Sequence, residues 1–302
     1  MEQLVGNILV GVSSWSDAAL VDSGFYPPEV RSAAQRLSYY GGRFAVAEVD
    51  STYHFFATAG NLRLWLDNSP DNFKFNIKAF SLFTLHPTPF ASLPKGLRET
   101  HAASLPARDT LYLHHLPKDA AEDLWRGFAG TVERFHAAGK LGVVLFQFPP
   151  YFHPSEASLK HIEECRHMLP RYPLAVEFRV GTWLSGERRK ETLDFLGRLG
   201  ISLVCVDEPQ GFRSSLPPES IVTSSPAVVR FHGRNAANWE TKGIASADRF
   251  DYLYSRKELE EWLPRIRAMA DVAADVHVIF KNKHSDYPVR NALEMIELLQ
   301  SG

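Results

Sequence analysis

Glu48, Glu177 and Asp207 close three apolar runs, AEVDSTY, LAVEFR and LVCVDEP, and Arg230 and His232 close a fourth, VVRFHGR. Runs of this kind read as strands covered on both faces, and a charge buried straight after one is costly unless it is paired or lines a polar cavity. Two carboxylates on different strands could act as acid and base on a glycosidic bond. Glu177, with Arg179 two residues on, is the first candidate for the general acid or base, because such neighbours tune a carboxyl pKa. Lys78 could form a Schiff base if desolvated; its plainer role is to partner a neighbouring carboxylate. His232 with Glu48, Asp50, Glu177 or Asp207 could ligate a metal. Of the twelve histidines only His232 stands at such a strand end, so no cofactor is expected, a divalent metal being the alternative.

Basic residues gather toward the C-terminus. HGRNAANW (232–239) and KNKHSDYPVRNA (281–292) bring Arg234, Lys281, Lys283, His284 and Arg290 close to the start of the final helix, an arrangement that could hold a phosphate. Ser285 or Asp286 reads as the N-cap there, with Pro288 in the first turn, and an Asp cap would compete for the same donors. Trp15, Tyr53, Phe148, Tyr151, Trp183, Trp239, Tyr252 and Tyr254 fall in the same loops. Their faces suit sugars or bases, or ordinary loop packing. No Ser-His-Asp order, HExxH, Walker A or CxxC pattern is present.

The elements that must position these groups alternate from end to end. Strands are expected at Ile8–Trp15, Val46–Thr52, Phe73–Ala79, 141–148, Leu174–Arg179, Ser202–Asp207, Val228–Gly233 and Val276–Asn282. Helices are expected over 27–42, Ala57–Asn68, Asp119–Ala138, Ser155–Met168, Glu187–Leu199, Ser255–Ala270 and Tyr287–Leu299, with none clear between Pro209 and Pro226. Eight strands and seven helices make a (β/α)8 TIM-like barrel, an α/β fold in a single domain over 1–302. A long irregular insertion at about 80–117 follows the third strand. A doubly wound open sheet is the alternative, but no strand is followed by a glycine fingerprint.

Period-2 alternation assigns the faces. Glu48, Asp50 and Thr52 share one, as do Asn76 with Lys78, Glu177 with Arg179, Cys205 with Asp207, Arg230 with His232, and Ser13 with Trp15; Gln147 stands at the end of its strand. If these faces point inward, the C-terminal mouth holds Glu48, Asp50, Glu177 and Asp207 against Lys78, Arg179, Arg230 and His232, where barrel active sites form.

Composition narrows the partners. At 45% hydrophobic and 23% charged residues, with a formal net charge of -2, the chain gives no global argument for nucleic acid or an anionic membrane. Two cysteines, Cys165 and Cys205, make no disulfide framework. The N-terminus lacks the basic and apolar regions of a secretory signal, and no apolar stretch approaches the roughly 18 residues of a spanning helix, so a cytoplasmic protein is expected.

The pieces GVSSWSD, FYPPEV, Tyr39–Tyr40, FAVAEVDSTYH, FKFNIKAF, LGVVLFQFPP, LAVEFR with Trp183, VVRFHGRN, RFDYLYSRKELEEW and NKHSDYPVRNALEM occur in this order. Together they resemble the YecE-like proteins, domain-of-unknown-function family 72, over nearly the whole chain. The resemblance implies a TIM-like barrel and no established activity. It implies shared polar positions at Ser13, Trp15, Glu48, Tyr53, Lys78, Gln147, Glu177, Arg179, Trp183, Asp207, Arg230, His232 and Asn291, whereas many members carry Asn where this chain has Asp50. The expectation is an enzyme acting on a small polar, sugar-like or phosphate-bearing metabolite by acid/base chemistry at the barrel mouth; a hydrolase, lyase or isomerase would each fit. Its candidate catalytic residues are Glu177, Glu48, Asp207, Lys78 and His232. Ser13, Trp15, Tyr53, Gln147, Arg179, Trp183, Arg230, Asn282 and Asn291 would bind ligand. The competing class is a non-catalytic nucleic-acid- or metabolite-binding barrel using the same mouth.

Overall fold

Val, Ile, Leu and Phe dominate the eight runs singled out above, and each run is flanked on both edges by a parallel neighbour. In the computed structural model, which describes residues 4–301, the strands are β1 (Ile8–Val12), β2 (Val46–Val49), β3 (Lys74–Lys78), β4 (Leu141–Gln147), β5 (Leu174–Glu177), β6 (Ile201–Asp207), β7 (Ala227–Phe231) and β8 (Val276–Phe280). They pair in chain order, and β8 returns to β1 with Val276 opposite Ile8 and Phe280 opposite Val12, closing the barrel. A short strand, Leu4–Val5, lies antiparallel on β1. Among the described residues no helix is long and apolar enough to cross a membrane.

Seven main helices surround it: α1 (Ala33–Gly41), α2 (Ala59–Asp67), α3 (Lys118–Ala137), α4 (Glu156–Met168), α5 (Gly186–Arg198), α6 (Leu263–Ala270) and α7 (Tyr287–Gln300). Capping residues fix several starts. Ser32 accepts from the Gln35 amide at 3.1 Å while Gln35 accepts from the Ser32 amide at 3.0 Å, so two orphan donors of α1 are satisfied at once. The helix expected over Ser255–Ala270 is divided into Arg256–Glu260 and α6, because Pro264 fits a first turn and not a helix interior. No helix follows β6, and residues 208–226 run irregularly to β7.

The strands stop earlier than the apolar runs suggest. After Val49 the chain turns into a 3-10 helix, Asp50–Tyr53. Thr52 therefore leaves the face it was expected to share with Glu48. Its hydroxyl donates instead to the Val49 carbonyl at 2.8 Å and the Lys78 carbonyl at 2.7 Å, tying the ends of β2 and β3 together. The insertion after β3 is ordered: it holds a two-strand ribbon (Thr88–Pro89 with Thr110–Leu111) and a helix at Lys95–Thr100. Phe83 stacks on Trp125 of α3 with ring centroids 3.6 Å apart, which anchors the segment to the helix layer.

Leu9, Val46 and Ile279, on adjacent strands, pack together with Ala45 apart from the main core, as a barrel interior separates from the surrounding helix layer. Deeper within, His277 Nδ1 lies 2.8 Å from Asn76 Oδ1, which also accepts from the Val143 amide at 3.2 Å.

Candidate active site at the barrel mouth

Register decides which side chains meet. Residues opposite one another in adjacent parallel strands share a face, and Arg230 of β7 lies opposite Val206 of β6 and Ile279 of β8. Arg230 points inward and has no exposed surface. Its Nη2 donates to Glu48 Oε1 at 2.5 Å. Its Nη1 donates to Glu177 Oε2, and to Gln147 Oε1 at 3.2 Å. Glu177 Oε1 faces His232 Nε2 and Arg179 Nη1, each at 3.2 Å. Burial alone would raise the Glu177 pKa, but Arg230, then His232 and Arg179, hold it well below the carboxylate range. Burial drives His232 down to about 3 against the pull of Glu177, so the imidazole is neutral and donates from Nε2.

Glu177 is thus a fixed anion with both oxygens occupied, and its geometry does not suit the general acid or base expected of it. Glu48 differs: Oε1 takes Arg230, while Oε2 is buried without a protein partner, and burial raises its pKa despite Arg230.

Asp207 also departs from expectation. It lies opposite Phe231, whose ring packs outward on Tyr254 and Trp262. The carboxylate follows that face, away from the mouth, and accepts from the Tyr254 hydroxyl, Trp262 Nε1 and Arg234 Nη2, each at 2.7 Å. The inward neighbour is Glu208, buried, 3.7 Å from Arg179, with its pKa pushed up by burial to about 7. Trp183 lies behind the strands, stacked on Phe178 at 4.2 Å and donating to the Phe152 carbonyl at 2.7 Å. Asn282 and Asn291 bond each other at 2.9 Å and the backbone of Tyr252 and Tyr254. None of these three lines either mouth cavity. Ser13 is buried just past β1, and its hydroxyl has no protein partner.

Two cavities open at the mouth. One, of about 440 Å³, is lined by Trp15, Glu48, Asp50, Tyr53, Lys78, Lys281 and Lys283, among others. The second, of about 340 Å³, is lined by Gln147, Phe148, Arg179, Phe250 and Lys281, among others. In the first, Asp50 lies 2.6 Å from Lys283 and 3.6 Å from Lys78. Burial would raise its pKa, but these two amines hold it well below the ordinary value. Lys78 thus faces the Asp50 carboxylate. Arg179 packs 4.7 Å from the ring of Trp239, one of the loop aromatics expected to suit a sugar or base or to pack the loops.

The basic cluster expected near α7 is dispersed. Arg234 goes to Asp207, Lys283 to Asp50, His284 to Asp251 at 3.6 Å and Arg290 to Asp286 at 3.9 Å. Lys281 alone of the five makes no ion pair among the described residues: its Nζ reaches Gln147 Oε1 at 3.4 Å and stands 5.7 Å from the centre of the Phe250 ring. It is 6% exposed and lines both mouth cavities. Burial, then the positive charges of Lys78 and Arg230, push its pKa well below the lysine range. Sequence reasoning places Lys281 in the basic loop alone, although it stands just beyond an apolar run as Glu48 stands at the end of one. Each mouth carboxylate faces a guanidinium or ammonium group, and among the described residues no three His, Cys, Asp or Glu side chains are placed to hold a metal ion.

The molecule is thus a closed (β/α)8 barrel with a polar, charge-paired mouth at the C-terminal ends of its strands. The family model "Protein of unknown function DUF72" matches residues 9–302, and the chain belongs to that family. It is 29% identical over 297 residues to the UPF0759 protein YunF of Bacillus subtilis (strain 168), covering 97% of this chain and 94% of that one. A crystal structure of a DUF72 family protein (EF0366) from Enterococcus faecalis V583 superposes with a TM-score of 0.78 at 26% identity, over 97% of this chain and 95% of that one. A DUF72 family protein (TM1631) from Thermotoga maritima MSB8 gives 0.73 at 27% identity, over 97% and 99%.

Proposed function

We propose that the barrel mouth is an active site for proton-transfer chemistry on a small polar metabolite, sugar-like or phosphate-bearing. The observation that carries this reading is Lys281: a buried amine without an acid partner, opening on two cavities, beside the half-free carboxyl of Glu48. A neutral amine accepts a proton and a protonated carboxyl supplies one, the complementary pair that acid/base catalysis needs. Arg230, Glu177 and His232 form the rigid base that orients Glu48 and Gln147. Lys78 and Lys283 would receive an anionic group, and Trp15 and Tyr53 would flank an apolar ring face.

A panel of sugar phosphates and small hydroxy and oxo acids, scored by thermal shift and by turnover, tests the reading. At least one member is expected to raise the melting temperature and be converted, with Lys281→Met and Glu48→Gln each lowering kcat by about 100-fold or more while the fold is kept. Conversion that survives both substitutions, or a panel without any stabilising member, overturns it.

A further inference from the structure

We propose that Lys281 is the nucleophile for a carbonyl substrate, forming a Schiff base with a small aldehyde or ketone that carries a carboxylate or phosphate. The proposal rests on the reading of the mouth as an active site and names the substrate class that site would take.

Three observations bear on it. The other two amines of the 440 Å³ cavity are held by acids, Lys283 by Asp50 and by Asp17 at 3.2 Å, and Lys78 by Asp50. A carboxylate contact favours the charged ammonium form, and at Lys283 the Asp50 and Asp17 contacts raise the pKa against burial. Lys281 has no such partner, and its contact with Gln147 Oε1, which also accepts from Arg230, fixes its direction without holding a charge on it. Desolvation beside other cations is the environment that frees a lysine lone pair at neutral pH, and burial with Lys78 and Arg230 nearby supplies it. Finally, Glu48 lines the same cavity and presents Oε2 without a protein partner.

The step balances with these groups alone. The Nζ lone pair attacks the carbonyl carbon and the π electrons pass to oxygen, which takes a proton from the Glu48 carboxyl. The nitrogen then loses a proton to the resulting carboxylate. The same Glu48 proton is delivered again to the carbinolamine hydroxyl, which leaves as water while the nitrogen lone pair forms the C=N bond. The remaining iminium proton returns to the Glu48 carboxylate, so that amine plus carbonyl compound gives imine plus water, with no change of oxidation state. Lys78 and Lys283, on the Asp50 side, would hold the anionic group of the substrate.

Reductive trapping tests this on the full chain. Pyruvate, dihydroxyacetone phosphate and glyceraldehyde 3-phosphate are each incubated with the protein at neutral pH, sodium borohydride is added, and the adduct is located by peptide mass mapping. The expected result, with at least one probe, is a secondary amine at Lys281 with occupancy about tenfold or more above any other lysine, each unit of pKa lowering giving about tenfold more free amine. The adduct at this position should be absent from Lys281→Met. Mapping on the unsubstituted chain decides the matter even if that variant fails to fold. Adducts spread evenly over surface lysines, or no adduct with any of the three, overturn the proposal. Absence of an adduct from probes that do raise the melting temperature rejects the Schiff base and leaves the active-site reading standing; absence of both rejects the two together.

Discussion

Arg230 holds a full positive charge with no exposed atom, and the Glu177 carboxylate, with Glu48 Oε1 accepting from Nη2, makes that state tolerable. A buried pair can be nearly neutral in net stability, yet removing one partner leaves an uncompensated charge in a low-dielectric site. Arg230→Met strands the Glu177 anion and takes the donor from Glu48 Oε1, and is expected to cost about 3–5 kcal/mol, read from urea denaturation. Adding Glu177→Gln to that variant should recover part of the loss, because the second substitution removes the stranded charge. If Arg230→Met is as stable as the parent, the triad does not hold the mouth together. The contrast between Asp207 and Glu208 shows how finely position decides role: adjacent acids on one strand end face opposite ways, one saturated by Tyr254, Trp262 and Arg234, the other buried over Arg179.

At the scale of elements, composition and punctuation sufficed for the strands and helices because each strand is a short apolar run bounded by turn residues. The barrel followed from their number and alternation. The convergence of Glu48, Glu177, Lys78, Arg179, Arg230 and His232 was likewise legible from parity at the strand ends. What parity could not supply was register. Cys205 and Asp207 read as an inward pair, but the alignment of Phe231 with Asp207 turns that face outward. Partners distant in sequence were equally hidden, since nothing local says that Lys283 meets Asp50 or that Lys281 meets no acid. Register also leaves a mark inside β4, where the pairing with β3 shifts between Phe75 and Ile77. There a Cβ on Gly142 would stand 2.3 Å from Asn76 Oδ1 and 2.8 Å from His277 Cε1. Gly142→Ala must push apart the interior Asn76–His277 pair, an overpacking expected to lower stability by about 1–3 kcal/mol. A melting temperature equal to that of the parent chain would show that the pair yields freely.

Taken as a whole, the molecule buries more histidine than an acid environment allows. His232 and His277 have pKa values pushed by burial from 6.5 to about 3, and His86 to about 4. Between those values and about 6.5 the unfolded chain binds these protons and the folded chain does not, so stability rises with pH there and is fully present above pH 6.5. Glu208 acts in the opposite sense. Its pKa is raised by burial from 4.5 to about 7, so the folded chain holds one extra proton in that window and loses stability as pH rises through it. His54 and His161 are lowered by burial as well and Glu48 is raised with Glu208, so the imidazoles outnumber the carboxyls and acidification from pH 6.5 to 4.5 is destabilising, each unmatched proton being worth at most about 1.4 kcal/mol per pH unit. Below 4.5 the slope steepens, because Glu208 no longer offsets the histidines and the depressed carboxyls of Asp50 and Glu177 add to the loss. Urea midpoints should therefore fall from pH 7 to 5.5 and faster from 5.5 to 4. His232→Gln should flatten the upper segment by one proton, since it removes a group that titrates only in the unfolded chain. A midpoint unchanged between pH 7 and 5.5 would mean that the buried imidazoles are reached by water, and that the mouth is wetter than its packing implies.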